Sequence, residues 1–196
     1  MTLPQVAQSS LSLPSIDWSK RPRRYLNAGE LEVLIALVAS VSPKHVLEFG
    51  VNEGRTAAAI LEYVPGIVQY VGVDVLSGYV TPLPVQRNEV PERPGHLAAH
   101  DPRFHLILRP DGSRNLRPTD LVEFDAVFID GDHSARGVIH DTALARGVLR
   151  PGGIIIWHDY HNLGTVHVRE VLHQMHAEGD SIFHVANTWL AFERRP

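Results

Sequence analysis

The chain contains no cysteine. That excludes disulfides and any thiolate-bound zinc, and it fits a cytoplasmic setting. No apolar run approaches the roughly 20 residues of a membrane span. The N-terminus lacks the charged segment followed by an apolar stretch that marks a secretory signal. Neither sign of charge dominates: the formal net charge is -4 and the pI near 6.3, so there is no general pull toward nucleic acid or anionic membrane. A basic groove with interleaved aromatics is also missing, which argues against RNA and DNA as partners. No internal repeat is visible. At 196 residues the chain suits one domain with an ordinary core.

What is present is an alternation of strand-like and helix-like runs. Residues 1–26, rich in Ser, Pro and Gln and ending near Lys20-Arg21-Pro22-Arg23-Arg24, read as an irregular arm able to fold over the active site. A single domain is expected over 27–196. Asn27 is the expected cap of a helix over Glu30–Ser40, with Leu31, Leu34, Ile35 and Val38 on one face and Pro43 beyond its end. Strands are expected at Val46–Phe49, Tyr70–Val75, Phe104–Leu108, Asp125–Asp130 and Ile154–Trp157. Helices are expected at Thr56–Tyr63, Gly137–Leu149 and Val166–Ala177. The last runs, Ile182–Val185 and Trp189–Phe192, have no helix between them and read as an antiparallel hairpin at a sheet edge. This is an α/β pattern, a doubly wound, mostly parallel sheet. Residues 77–95 hold Pro82, Pro84, Pro91 and Pro94 without a clear period, and a loop of that length is a candidate substrate lid.

The most informative stretch is His45-Val46-Leu47-Glu48-Phe49-Gly50-Val51-Asn52-Glu53-Gly54-Arg55-Thr56. It reads as a buried strand, a glycine turn and a helix start. Asp74 ends the next apolar run, where a nucleoside ribose needs a hydroxyl acceptor. A dinucleotide site would want G-x-G-x-x-G around a pyrophosphate. Here the spacing is Glu48-x-Gly50-x-x-x-Gly54, with a second acid, Glu53, inside the loop. Carboxylates repel a pyrophosphate but suit a ligand with an ammonium and a sulfonium and no phosphate, which describes S-adenosylmethionine.

In an open α/β sheet, ligands bind beyond the carboxyl ends of the strands. The unusual polar residues sit at such ends: Asp111-Gly112-Ser113, Asp130-Gly131-Asp132-His133-Ser134 and His158-Asp159-Tyr160-His161-Asn162. Their carboxylates and imidazoles suit a divalent cation such as Mg²⁺ or Mn²⁺. Plainer roles stand beside this one. Asp130 or Asp132 alone would serve as a helix cap, His158 alone as a hydrogen-bonded core histidine, and Asp141 as a pair within its helix. His161, His167, His173 and His176 are expected at the surface, with His161 a minor ligand candidate.

The motifs Glu48–Gly54, Val71-Gly72-Val73-Asp74, Phe128–Ser134 and Pro151-Gly152-Gly153 followed by His158-Asp159-Tyr160 resemble the class I S-adenosylmethionine-dependent methyltransferases, in particular their small O-methyltransferase-like group. The resemblance covers about residues 27–193 and implies a Rossmann-like sheet of seven strands, the last antiparallel. It implies that Gly50, Asn52, Gly54 and Thr56 hold the methionine end of the cofactor. Asp74 would then take the ribose hydroxyls, with Asp111 and Ser113 beside the adenine. A magnesium would sit at Asp130, His158 and Asp159, and Asp132 or His133 would be the general base. Two departures stand out: several metal-dependent relatives carry two acids where this chain has His158-Asp159, and Ala135-Arg136 replaces a common aromatic. The expected activity is O-methylation of a small hydroxylated molecule (a sugar, phenol or natural product); nothing in the sequence encodes the oligomeric state, and a homo-oligomer is compatible with it because many relatives self-associate. The alternatives are a non-catalytic cofactor-binding or regulatory module, and a metal-dependent hydrolase built on the His/Asp cluster.

Overall fold

The computed structural model describes residues 2–20, 27, 29–87 and 89–196; most of the basic group at 20–24 lies outside the described residues. Eight strands and four α-helices follow one another as β1 (Gln5–Val6), α1 (Glu30–Ala39), β2 (His45–Phe49), α2 (Arg55–Tyr63), β3 (Gln69–Val75), β4 (Phe104–Arg109), β5 (Phe124–Ile129), α3 (Ala135–Val148), β6 (Leu149–Trp157), α4 (Val168–Ala177), β7 (Ile182–Val185) and β8 (Ala191–Arg194). They form one sheet in the order β1-β7-β8-β6-β5-β2-β3-β4. Strands β6, β5, β2, β3 and β4 run parallel, while β8 is antiparallel to both β6 and β7. The Rossmann-like doubly wound sheet of the sequence reading is therefore present, with one strand more than its seven.

The extra strand comes from the arm. Gln5 and Val6 pair parallel with His184 and Val185, and Leu3 is 3% exposed within the core. Two residues held by backbone hydrogen bonds leave no periodicity to read, which is why this segment looked irregular in sequence.

Side-chain alternation along the strands divides the interior into two cores. Leu47, Phe49, Val127, Ile129, Ile155 and Trp157 face α3 and α4. Val46, Tyr70, Ala126, Phe128, Ile154 and Ile156 face α1 and α2. Helix α1 is buried almost all round, from Leu31 to Val38, as expected of a helix packed between sheet and neighbour. Its cap is Gly29, at φ 87°, and not the Asn27 side chain. Asn27 instead donates its backbone N–H to the Glu30 carboxylate at 2.7 Å. At α3 the cap is Ser134, whose Oγ accepts from the Gly137 N–H at 3.1 Å, so neither Asp130 nor Asp132 fills that position.

The order of the strands reverses between β2 and β5. At such a switch point the loops leaving two neighbouring strands diverge and open a crevice at the carboxyl edge. Among the described residues no helix is long and apolar enough to cross a membrane.

Candidate active site

A cavity of about 450 Å³ occupies that crevice, within the size range of small-molecule sites. Its floor is the crossing of two backbones. Asp130 donates its N–H to the Phe49 carbonyl at 2.9 Å. Gly50 turns there with φ 82°, and a Cβ at Gly50 would lie 2.2 Å from the Asp130 carbonyl oxygen. No side chain fits at that position. Gly54, at φ 90°, caps α2 and packs against the Gly95 backbone without lining the cavity.

The loop between them is held by Asp74. One oxygen accepts the N–H groups of Val51 (2.9 Å) and Asn52 (2.7 Å), and the other accepts that of Val75 (2.7 Å). Burial raises the Asp74 pKa, and these three donors oppose the rise. Asn52 adopts φ 51°, accepts the Glu53 N–H, and donates through Nδ2 to the Glu89 carbonyl. Glu53 lines the cavity paired with Arg55 at 2.7 Å, and Thr56 lines it as well. Glu48 does not reach the cavity. It lies one residue before the strand end on the α1/α2 face, 1% exposed, and accepts the Tyr70 hydroxyl at 3.0 Å. Burial raises its pKa well above the usual range, against the Tyr70 hydrogen bond.

Further along the rim, Asp111 accepts from the Asn115 side chain, and Ser113 donates its hydroxyl to Asp141. Asp141 is buried, and desolvation lifts its carboxyl to about 7 against the Ser113 hydrogen bond. Its place on the inner stripe of α3, with Val138, Thr142 and Ala145, was a readable signal: an acid at apolar helix spacing faces inward.

Beyond these lies a chain of alternating carboxylates and imidazoles. His158 places Nε2 3.3 Å from Glu30 and Nδ1 3.1 Å from Asp130. His133 places Nδ1 3.0 Å from Asp159 and Nε2 3.3 Å from Asp130, the latter poorly aligned for a hydrogen bond. Burial disfavours charge on both rings, but the flanking carboxylates outweigh it and raise both pKa values. Asp130 is buried too, yet the two imidazoles hold its pKa down. Asp159 sits in the left-handed region at φ 58°, a strained conformation for a residue with a Cβ. His161, expected at the surface, has a side chain only 7% exposed and packs on Trp189 with ring centroids 4.3 Å apart. Asp132 pairs with Arg114 at 2.9 Å and accepts the Ser134 N–H, and these partners keep its pKa low despite burial.

The profile of the family described as "Methyltransferase domain" matches residues 47–160, from β2 through the His158-Asp159-Tyr160 turn. The chain belongs to this family. A comparison with curated protein sequences finds no match. Among solved structures, it is similar to the O-methyltransferase TomG of Streptomyces achromogenes, involved in tomaymycin synthesis and solved in complex with SAM. The identity is 16%, the match covers 96% of this chain and 94% of that one, and the TM-score is 0.60. A putative O-methyltransferase from Klebsiella pneumoniae is 21% identical, over 89% of this chain and 82% of that one, with a TM-score of 0.56. The O-methyltransferase of Bacillus cereus, in complex with SAH, is 17% identical over 89% and 83%, with a TM-score of 0.55.

Within this methyltransferase, the groups able to hold a metal differ from those expected. One donor atom each from Asp130, His133 and Asp159 lies within 4.8 Å of the others. His158 is not among them, because strand alternation turns its ring toward α1, where both nitrogens face carboxylates. Two carboxylates and one imidazole fit Mn²⁺, Fe²⁺ or Zn²⁺ better than Mg²⁺. Glu30, which belongs to this cluster, gave no signal in sequence: its partner His158 is 128 residues away, and an acid in a first helical turn is ordinary.

Proposed function

We propose that this methyltransferase uses S-adenosylmethionine to methylate a hydroxyl of a small molecule in the cytoplasm. The observation that carries the reading is the charge of the cavity. Among the described residues eight carboxyl side chains line it, against three arginines and the imidazoles of His133 and His158, and two of those arginines, Arg55 and Arg114, are already paired with Glu53 and Asp132. Such a lining repels a pyrophosphate and attracts a sulfonium with an ammonium. The relatives solved with SAM or SAH agree with it. Gly50, Asn52 and Thr56 would meet the methionine end, Asp74 the ribose, and Asp111, Ser113 and Asp141 the base. The acceptor would lie against Gln86, Glu89, His161, Val166 and Trp189, which line the other end of the same cavity.

An acceptor oxygen attacks the methyl carbon in line with the carbon–sulfur bond. That bond breaks with its electron pair staying on sulfur, which leaves neutral S-adenosylhomocysteine. The hydroxyl proton passes to the Asp159–His133 pair, because Asp132 is already occupied by Arg114 and Ser134. Holding the two reactants in line supplies roughly 7–11 kcal/mol of barrier lowering. If Asp130, His133 and Asp159 were to hold a divalent cation, it would instead lower the pKa of a bound hydroxyl, and the proton would leave to solvent and not to these ligands.

The test is calorimetric titration with S-adenosylmethionine, with and without Mn²⁺, followed by a screen of hydroxylated acceptors by mass spectrometry. Asp74→Ala is expected to weaken cofactor binding at least roughly tenfold through the lost ribose contacts. Asp159→Ala is expected to abolish transfer while leaving cofactor affinity largely intact. Absence of binding by the unaltered chain in every condition refutes the reading, as does an Asp159→Ala variant that keeps turnover.

A further inference from the structure

Glu30 is 0% exposed, and every atom of its carboxylate is committed. Oε2 lies 2.7 Å from the Asn27 backbone nitrogen and 3.3 Å from His158 Nε2, while Oε1 accepts the Trp189 backbone N–H. Burying a carboxylate costs several kcal/mol even when paired. If this position only filled space between α1, β6 and the β7–β8 turn, an apolar side chain of similar volume would do so at lower cost. An acid is also favourable in a first helical turn, but a solvent-exposed one serves the helix dipole equally well. The two groups that Glu30 holds both belong to the cavity. His158 leans on Asp130 at 3.1 Å, and Trp189 forms a wall at the acceptor end with the His161 ring tilted against it. Glu30 lies in α1, ahead of the segment matched by the family profile, residues 47–160, and joins that helix to the cavity.

We propose that Glu30 is a positioning residue of the methyl-transfer site: it clamps the His158 imidazole against Asp130, and with its second oxygen it fixes the Trp189 corner of the acceptor wall. The catalytic part of this proposal rests on the function proposed above. The clamp itself is geometric and can be read without turnover. An imidazole held at both nitrogens by carboxylates cannot rotate about χ2 without losing one of them. Asp130, in turn, keeps one fixed oxygen beside His133. This is the arrangement by which an outer carboxylate orients a histidine and, through it, the reacting group.

The experiment uses the full chain and four variants: Glu30→Gln, Glu30→Asp, His158→Asn and the double variant Glu30→Gln/His158→Asn. Glu30→Gln keeps the size and the acceptor for Trp189 but removes the charge that holds the ring. It is expected to lower kcat roughly 10–100-fold, as losses of outer-shell partners do. S-adenosylmethionine affinity should stay within about twofold, and the long-range ¹H–¹⁵N signals of the His158 ring should shift. In the His158→Asn background the same substitution should cost less than about threefold, since a residue acting through His158 has nothing left to act on. Multiplicative losses in the double variant, an unchanged kcat, or unshifted His158 signals would each overturn the proposal. If Glu30→Gln does not fold, Glu30→Asp carries the same test, because it withdraws both oxygens by one methylene while keeping the charge. Should the unaltered chain fail to bind S-adenosylmethionine, the proposed function falls, and the His158 signals still decide whether Glu30 holds the ring.

Discussion

At the scale of single residues, burial and neighbouring groups together shift the pKa values of the side chains in the site. Asp141 is the clearest case. Desolvation holds its folded pKa up at about 7, against about 3.9 for a free aspartate. The sign follows from proton linkage. The folded state holds this proton more tightly than the unfolded chain, so the group's contribution to stability is complete below about pH 4. It is lost as the pH rises through 7. Asp141→Asn cannot ionise and should not share this loss. The stability of the variant relative to the native chain is therefore expected to rise between pH 4 and 7, by at most about 1.4 kcal/mol per pH unit. Urea unfolding at a series of pH values measures it, and a difference independent of pH would show that Asp141 is ionised in the folded chain. Gly50 makes the complementary point about backbone. Its positive φ and the 2.2 Å that would separate a Cβ from the Asp130 carbonyl oxygen let the β2–α2 loop pack directly on the end of β5.

At the scale of elements, the sequence disclosed what periodicity and end-of-strand chemistry disclose. The strands β2 to β6 and all four helices lie within a few residues of their expected places, because each has a core face that writes itself into the pattern of apolar residues. What depended on long-range pairing was hidden. No local rule sends Glu30 to His158 or buries Glu48 against Tyr70. The segment 77–95 is intermediate: its proline content marked it as a loop, but its anchors emerge only in three dimensions. Gln86, 7% exposed, donates from Nε2 to the Gly131 carbonyl at 2.8 Å and accepts the His133 N–H at 3.3 Å. The Gly95 and Leu97 amides bind the Asn52 and Glu53 carbonyls at 2.7 and 2.9 Å. The segment is thus laid across the cavity and pinned on both loops that form it. Gln86→Ala removes one of these pins, about 1–3 kcal/mol of hydrogen bonding and burial. It should speed amide exchange across residues 80–90 by roughly 10–100-fold while leaving β2 to β6 unchanged. Exchange unchanged within 80–90 would mean that Gln86 does not hold the segment.

At the scale of the whole molecule, the sheet separates two cores, and the N-terminal segment reaches both: Leu3 joins the one facing α3 and α4, while Val6, Leu11, Ile16 and Trp18 pack against the one facing α1 and α2. Leu3 enters its core at 3% exposure, while Gln5 and Val6 extend the sheet past β7 at the edge farthest from β4. The Ala186 N–H donates to the Val6 carbonyl and the His184 N–H to the Pro4 carbonyl, each at 2.9 Å, so an edge strand that would otherwise expose its ladder is covered. The described beginning of the arm therefore acts in the stability of the sheet, whereas the cavity walls come from the loops after β2, β3, β4, β5 and β6 and from the β7–β8 turn. Leu3→Ala separates these roles. Truncating a buried leucine costs about 2–5 kcal/mol, which for a domain of this size lowers Tm by roughly 4–20 °C. Leu3 does not line the main cavity, so S-adenosylmethionine affinity at 20 °C should be unchanged. Calorimetric unfolding and titration on the same sample decide it. A variant with native Tm would place Leu3 outside the core, and one with native stability but weakened binding would instead tie the arm to the site.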